Sequence, residues 1–207
     1  TSLFNTLTGT RQKVANYAGV TVERKEGSFN LPSGDAIRVL DLPGTYSLKP
    51  SSLDEEVTRA VCLGELKGEI LPDIFICVVD ATNLSLHLSL VLEVRALNRP
   101  MILVLNMMDE VKKRGISIDK DKLSQLLGIP VVEAVAVKTK GIQDLINQLD
   151  QKNLFITPYH AELSHFEQVK QITKQVILNN DSGDKRTAFL DKIFLHPVLG
   201  LVILTLT

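Results

Sequence analysis

Two short strings hold residue types whose spacing suits phosphate and base chemistry. Asp41-Leu42-Pro43-Gly44 reads D-x-x-G at the end of an apolar, β-branched run. A carboxylate there can hold a magnesium-bound water, and the glycine can bring its N–H up to a terminal phosphate with no Cβ in the way. Asn106-Met107-Met108-Asp109 reads N-x-x-D after another such run. Its carboxylate can accept from both N–H groups on the edge of guanine, whereas adenine offers no such pair. Either string alone is weak, because D-x-x-G occurs by chance and an Asn or Asp after a strand is usually a turn residue. Their order adds weight. The N-x-x-D comes two strands after the D-x-x-G, and Ala136-Val137-Lys138 follows the next strand, where a main-chain N–H could meet the base oxygen.

Such residues need a scaffold that ends its strands together. Apolar runs at 36–40, 74–79 and 101–105 lead into Asp41, Asp80 and Asn106, and Val131-Val132 begins a fourth. Between them, 84–97 and 119–127 carry helical apolar spacing, the second opened by Asp119 as N-cap and closed by Gly128; 141–149 reads as a further helix. Strands alternating with helices predict an α/β fold with a mainly parallel sheet, whose ligands bind beyond the carboxyl ends of the strands. The stretch 21–41 differs: two extended segments flank Leu31-Pro32-Ser33-Gly34-Asp35, a turn composition, which predicts a hairpin and one antiparallel edge strand. Beyond residue 150 a polar helical pattern spans 162–178, and an Asn/Asp/Ser/Gly-rich loop leads to an apolar tail.

Composition narrows the class further. The 207 residues are 44% hydrophobic and 23% charged, with 12 Gly and 8 Pro, which excludes collagen-like and wholly disordered chains. A formal charge of −1 provides no general field for nucleic acid or an anionic membrane surface. Cys62 and Cys77 each lie in an apolar run, as packed, reduced thiols do. The start lacks the basic end and long apolar core of a secretory signal, and it lacks Met, so the chain is expected to begin inside a longer protein. Residues 193–207 contain no acid, Lys or Arg, and read as a truncated membrane helix in preference to a buried one. His87, His160 and His165 have no metal-site spacing, and His196 before Pro197 reads as interfacial. Lys112-Lys113-Arg114 reads as a solvated loop, and Asp54-Glu55-Glu56 as the first turn of a helix.

The strings Thr1-Ser2-Leu3-Phe4-Asn5-Thr6-Leu7-Thr8-Gly9, Val14-Ala15-Asn16-Tyr17-Ala18-Gly19-Val20-Thr21-Val22-Glu23, Asp41-Leu42-Pro43-Gly44-Thr45-Tyr46-Ser47-Leu48 and Asn106-Met107-Met108-Asp109 together resemble a small GTPase domain. Specifically, they resemble the N-terminal G domain of the bacterial ferrous iron transport protein B family. The likeness runs through about residue 150 and returns at 191–200, which is similar to the family's entry into its first membrane helix. It implies a P-loop GTPase-like α/β fold: a G domain at 1–150, a helical region at 151–190 and the start of a membrane helix at 191–207. It also implies GTP/GDP and Mg²⁺ as ligands, a GTPase activity, and a place on the cytoplasmic side of the bacterial inner membrane. The expected partners are the protein's own membrane domain and the lipid bilayer, with room for small Feo-type accessory proteins and for oligomerisation, and no nucleic acid.

Carried over by residue, Thr1 matches the last position of G-x-x-x-x-G-K-[ST], a Mg²⁺ ligand, and Ser2 follows it near the α-phosphate. Thr21 matches the switch threonine that closes on Mg²⁺ and the γ-phosphate, and its main chain, with the metal, is expected to place the attacking water. Asp41 as metal ligand and Gly44 as phosphate contact match the second switch. Asn106 and Asp109 match base recognition, with Met107 covering the base where many GTPases carry Lys; Ala136, Val137 and Lys138 match the base-oxygen loop.

Departures from the pattern set further expectations. The glycines and lysine of the phosphate loop would stand before Thr1, so the chain as given is expected to bind nucleotide poorly, and potassium activation is unsupported. Thr45 follows Gly44 where many GTPases carry a water-orienting Gln, which predicts slow hydrolysis with no side-chain general base. Two alternatives stay open: a nucleotide-sensing regulatory module with negligible turnover, and an RNA-associated ribosome-assembly GTPase, against which the near-neutral charge and the apolar tail argue.

Overall fold

The computed structural model describes residues 2–9, 12–17, 19–134, 139–151, 159 and 163–179. Thr1, Ala136, Val137, Lys138 and the expected membrane segment at 191–207 lie outside the described residues.

The chain opens with α1 (Ser2–Thr8), then β1 (Gln12–Asn16), β2 (Glu23–Asn30) and β3 (Ala36–Asp41). The hairpin expected at 21–41 is present, with Phe29 opposite Ile37 and Lys25 opposite Asp41. Its turn is closed by Leu31 N–H donating to Asp35 O at 2.8 Å and Gly34 N–H to Leu31 O at 2.9 Å, Gly34 taking φ 95°. One detail differs from expectation. The antiparallel pairing does not edge the parallel sheet but makes a three-stranded sheet of its own, β1-β2-β3. The polar β1, exposed along most of its length, carries no apolar alternation that would have marked it as a strand.

Next come α2 (Leu53–Leu63), β4 (Phe75–Asp80), α3 (Leu84–Arg95), β5 (Met101–Asn106), α4 (Met108–Lys113), β6 (Ile116–Ile118), α5 (Lys120–Leu127), β7 (Val131–Ala134) and α6 (Thr139–Leu149). Strands β4, β5 and β7 form the parallel sheet, in that order. Central β5 is apolar without alternation because both of its faces are covered. Met101, Leu103 and Leu105 face a core with Leu84, Leu88 and Leu92 of α3 and Leu123 and Leu127 of α5. Ile102 and Val104 face a second core with Leu145 of α6, against which Leu3 and Leu7 of α1 pack. α1 therefore braces both sheets, since on its other side Thr8 meets β2 so closely that a Cβ on Gly27 would stand 2.4 Å from Thr8 Cγ2.

Helix ends follow local chemistry. Asp119 accepts from Lys122 N–H and Gly128 closes α5 in the left-handed region, as the spacing predicted. Asp54, Glu55 and Glu56 lie in the first turn of α2, capped by Ser52. Lys112 and Lys113 correct the loop reading: they form the last turn of α4, where cations suit the helix dipole, and Arg114 caps it. Within the expected helical region, α7 (His165–Val176) starts on a Ser164–Glu167 capping box and runs into β8 (Ile177–Asn179), which pairs with β6. Ile172 and Val176 enter the first core. Among the described residues, no helix is long and apolar enough to cross a membrane.

Candidate functional site

The parallel register brings Asp80, Asn106 and Ala134 level at the carboxyl edge of the sheet. Asp80 turns back to accept Thr82 N–H at 2.8 Å, capping a short 3₁₀ turn. Asn106 has no such local use. Its Oδ1 is buried, and among the described residues it has no hydrogen-bond partner, an arrangement that costs about 1–3 kcal/mol unless a donor arrives. Met107 follows at φ 61°, ψ 30°, a left-handed conformation unfavourable for a side chain of that size. This reversal lets the chain leave β5 and enter α4 directly. It leaves Met107 42% exposed beside Asn106 and buries Met108 at 2%. Asp109, in the first turn of α4, is exposed.

The second cluster forms at the open end of the hairpin. Lys25 pairs with Asp41 as the last rung, so the loop before β2, with Thr21, and the loop after β3, with Gly44, leave the same end of the antiparallel sheet. Thr21 is exposed, between anchored neighbours. Tyr17 N–H donates to Val22 O at 3.0 Å, Val20 N–H to Tyr17 O at 3.2 Å, and the Tyr17 and Val22 side chains are buried against Val57 and Val61 of α2. Burial, with Glu69 nearby, pushes the Tyr17 hydroxyl up to about 12, so it stays protonated. Arg24, at the start of β2, donates to both carboxylate oxygens of Glu69 and to Glu26 at 2.5 Å, which fastens this end of the strand.

Gly44 faces open space, with no atom within 4 Å of where a Cβ would stand. Its neighbours are tied down. Thr58 of α2 donates to Pro43 O at 2.8 Å, Thr45 Oγ1 donates to Ser47 O at 2.6 Å, and Glu55 accepts from Ser51 N–H at 2.8 Å and Ser51 Oγ at 2.7 Å. Sequence reasoning did not foresee these tethers, nor Glu93 of α3, which binds Ser47 and Leu48. The one available signal was an acid at 93 set inside the apolar pattern Leu90-Val91-Leu92-Glu93-Val94.

The structure thus gathers Asn106, Met107 and Asp109 at one strand end, and Thr21, Asp41 and Gly44 at the open end of the hairpin. Ser2 is exposed at the first residue of α1. Among the described residues, no cluster of three or more His, Cys, Asp or Glu could hold a metal by itself. A cavity of about 290 Å³ lined by Met108, Lys112, Ile116 and Glu133 lies beside α4 and includes none of the expected residues.

Residues 1–149 match the N-terminal family model of ferrous iron transport protein B. The chain belongs to the ferrous iron transport protein B family. It is 44% identical over 172 residues to the Fe(2+) transporter FeoB of Salmonella typhimurium, a match covering 81% of this chain and 21% of that protein. The chain therefore spans about a fifth of the length of this FeoB relative. Among solved FeoB structures, the cytosolic domain from L. pneumophila superposes with a TM-score of 0.76 at 30% identity, covering 86% of this chain and 94% of that one. The cytosolic domain of T. maritima FeoB in a GDP form superposes with a TM-score of 0.72 at 32% identity, covering 86% and 92%. The fold is accordingly the α/β, P-loop GTPase-like fold of FeoB G domains, with a mainly parallel sheet and an additional antiparallel one.

Proposed function

We propose that this chain is the GTP-binding, slowly GTP-hydrolysing cytoplasmic part of a bacterial ferrous iron membrane transporter, with 1–150 as the nucleotide-binding unit and 151–190 as its helical region. Asn106 carries the reading. Its Oδ1, buried and without a partner among the described residues, sits at aligned strand ends beside a strained, exposed Met107 and an exposed Asp109. Strain and an unmet polar atom together are features that a binding site retains and an ordinary turn sheds. In this reading Asp109 accepts the two N–H groups on the guanine edge, Met107 covers the ring, and the loop at 136–138 meets the base oxygen. The T. maritima relative, described in a GDP form, supports guanine as the base.

At the phosphate end, the donor set is chemically suited to Mg²⁺, because Thr1 and Thr21 offer hydroxyls and Asp41 a carboxylate, all hard oxygen ligands. Neutralisation of phosphate charge is what the bound ion supplies. Ser2 lies near the α-phosphate, and Gly44 N–H meets the γ-phosphate, with no side chain crowding the position of a Gly44 Cβ. The Thr21 main chain orients water, with no side-chain base. Thr45 stands where a Gln would orient that water, and its hydroxyl is occupied by Ser47 O. Turnover is therefore slow. That same observation favours, as second reading, a nucleotide sensor with negligible turnover, and single-turnover GTP hydrolysis by the full-length protein separates the two. Passage of Fe²⁺ belongs in this reading to the membrane part, with this chain on its cytoplasmic side.

Titration of the full-length protein with GDP and ADP tests the base site. We expect GDP to bind far more tightly, and Asp109→Ala to lose roughly 1.5–3 kcal/mol of GDP affinity, the worth of hydrogen bonds to a charged group, with ADP unaffected. Equal affinity of the wild-type protein for both nucleotides would remove the guanine reading.

A further inference from the structure

Glu93 lies on the last turns of α3, outside every residue assigned above to nucleotide. Both of its carboxylate oxygens are committed to one loop, 46 residues away along the chain. Ser47 Oγ lies 3.1 Å from Oε1 and 2.9 Å from Oε2, and Leu48 N–H donates to Oε2 at 2.5 Å. Ser47 Oγ in turn accepts Lys49 N–H at 3.0 Å, and Ser47 O accepts the Thr45 hydroxyl. On the other side of Gly44, Pro43 O is held by Thr58. The chain is thus pinned on both flanks of Gly44. Among the described residues, Gly44 N–H itself has no hydrogen-bond partner, and no atom lies within 4 Å of where a Cβ on Gly44 would stand.

We infer that Glu93 is a positioning residue that pre-organises the loop at 43–48 so that Gly44 N–H is presented to the terminal phosphate of a guanosine triphosphate. The inference rests on the guanine-nucleotide reading above and deepens it. A donor fixed before the ligand arrives needs no ordering when charge must be met, whereas a free loop is ordered at the expense of affinity. Charge-assisted bonds hold better than neutral ones, and Glu93 takes such bonds from two successive residues. Because a diphosphate lacks the γ-phosphate that Gly44 is to meet, Glu93 acts on the triphosphate alone. That selectivity separates positioning from simple support of the fold.

The test compares wild-type, Glu93→Ala, Glu93→Gln and Ser47→Ala forms of the full-length protein, measuring Kd for GDP and for a non-hydrolysable GTP analogue. Glu93→Ala is expected to weaken the analogue about tenfold while leaving GDP within about twofold, and to slow single-turnover hydrolysis. Glu93→Gln recovers most of the loss, because its amide oxygen still accepts Leu48 N–H. Ser47→Ala loses less than Glu93→Ala, since the Leu48 bond remains, and it provides the same comparison if Glu93→Ala does not fold. Equal weakening of both nucleotides, or no change in either, overturns the positioning role while leaving nucleotide binding intact. A wild-type protein that binds neither nucleotide overturns both readings.

Discussion

Met107 shows most plainly how local strain and chemistry meet. A left-handed Met costs about 1–2 kcal/mol relative to a right-handed one, and Gly would bear no such cost. Met107→Gly is therefore expected to raise thermal stability slightly, or to leave it level once the greater freedom of Gly in the unfolded chain is counted, while weakening GDP binding through loss of the cover over the base. Differential scanning calorimetry with GDP titration checks both halves, and weakened stability with unchanged binding would contradict them. Glu55 provides a pH test. The hydroxyl and N–H of Ser51 donate to its carboxylate and hold it below the usual glutamate range. A carboxylate depressed in the folded state stabilises the fold above its unfolded pKa and loses that contribution as pH falls through its lower folded value. The Ser51 tether should therefore persist through the ordinary glutamate range and release only below it. Carbon NMR titration of the Glu55 carboxyl should show this, and an unshifted midpoint would sink it. Asp41, Gly44, Asn106 and Asp109 were legible as chemistry because their types and spacing are tied to ligands. Glu93 was not, since its partners at 47 and 48 are adjacent only in space.

At the scale of elements, strand β5 decides the design. Its residues have 0–2% exposure from Met101 to Leu105, alternating between two cores, so no polar residue can be inserted on either face. Leu103→Ala is expected to cost about 2–5 kcal/mol, the range for emptying a filled core site, read from the shift of a urea midpoint. A cost under about 1 kcal/mol would mean that the core collapses around the gap. Gly27→Ala tests the contact between α1 and β2. A methyl placed 2.4 Å from Thr8 Cγ2 and 2.7 Å from Thr8 Cβ must push α1 away. The same substitution should therefore disturb Ser2 at the far end of that helix, visible as weakened nucleotide affinity together with lowered stability. The apolar runs of β4, β5 and β7, the caps of α5 and the turn of the hairpin were all legible, because each is set by neighbours within a few residues. β1, β6 and β8 were not: polar or short, they are strands only because partners lie alongside.

Over the whole molecule, α3 and α7 tie distant parts together. α3 reaches the loop after β3 through Glu93, and through Arg95, buried at 1%, it reaches Leu127 O at 3.1 Å and the Tyr159 ring at 5.5 Å. Asn98 accepts Tyr159 N–H at 2.8 Å just beyond. On the other flank, Val176 O accepts Asp119 N–H at 2.9 Å, while the fully buried Val176 side chain packs in the same core as Leu123 and Leu127. α7 is therefore expected to unfold together with the parallel sheet. Val176→Asp, which buries an unpaired charge, should lower the melting of the whole domain in one transition. Hydrogen exchange should then speed up at the amides of β5 as well as α7, and exchange confined to α7 would refute the coupling.

Alternation of apolar runs with helical patterns was enough to call for an α/β scaffold and to set Asp41 and Asn106 at strand ends, since backbone periodicity and capping act over a few residues. Which strands share a sheet was decided in space. The hairpin pairs with β1 in an antiparallel sheet of its own, because side-chain pattern dictates extension but not partner. The buried orphan at Asn106 and the double grip of Glu93 on Ser47 and Leu48 likewise exist only once residues far apart in the chain are packed together, where loss of water makes each hydrogen bond met or missed count.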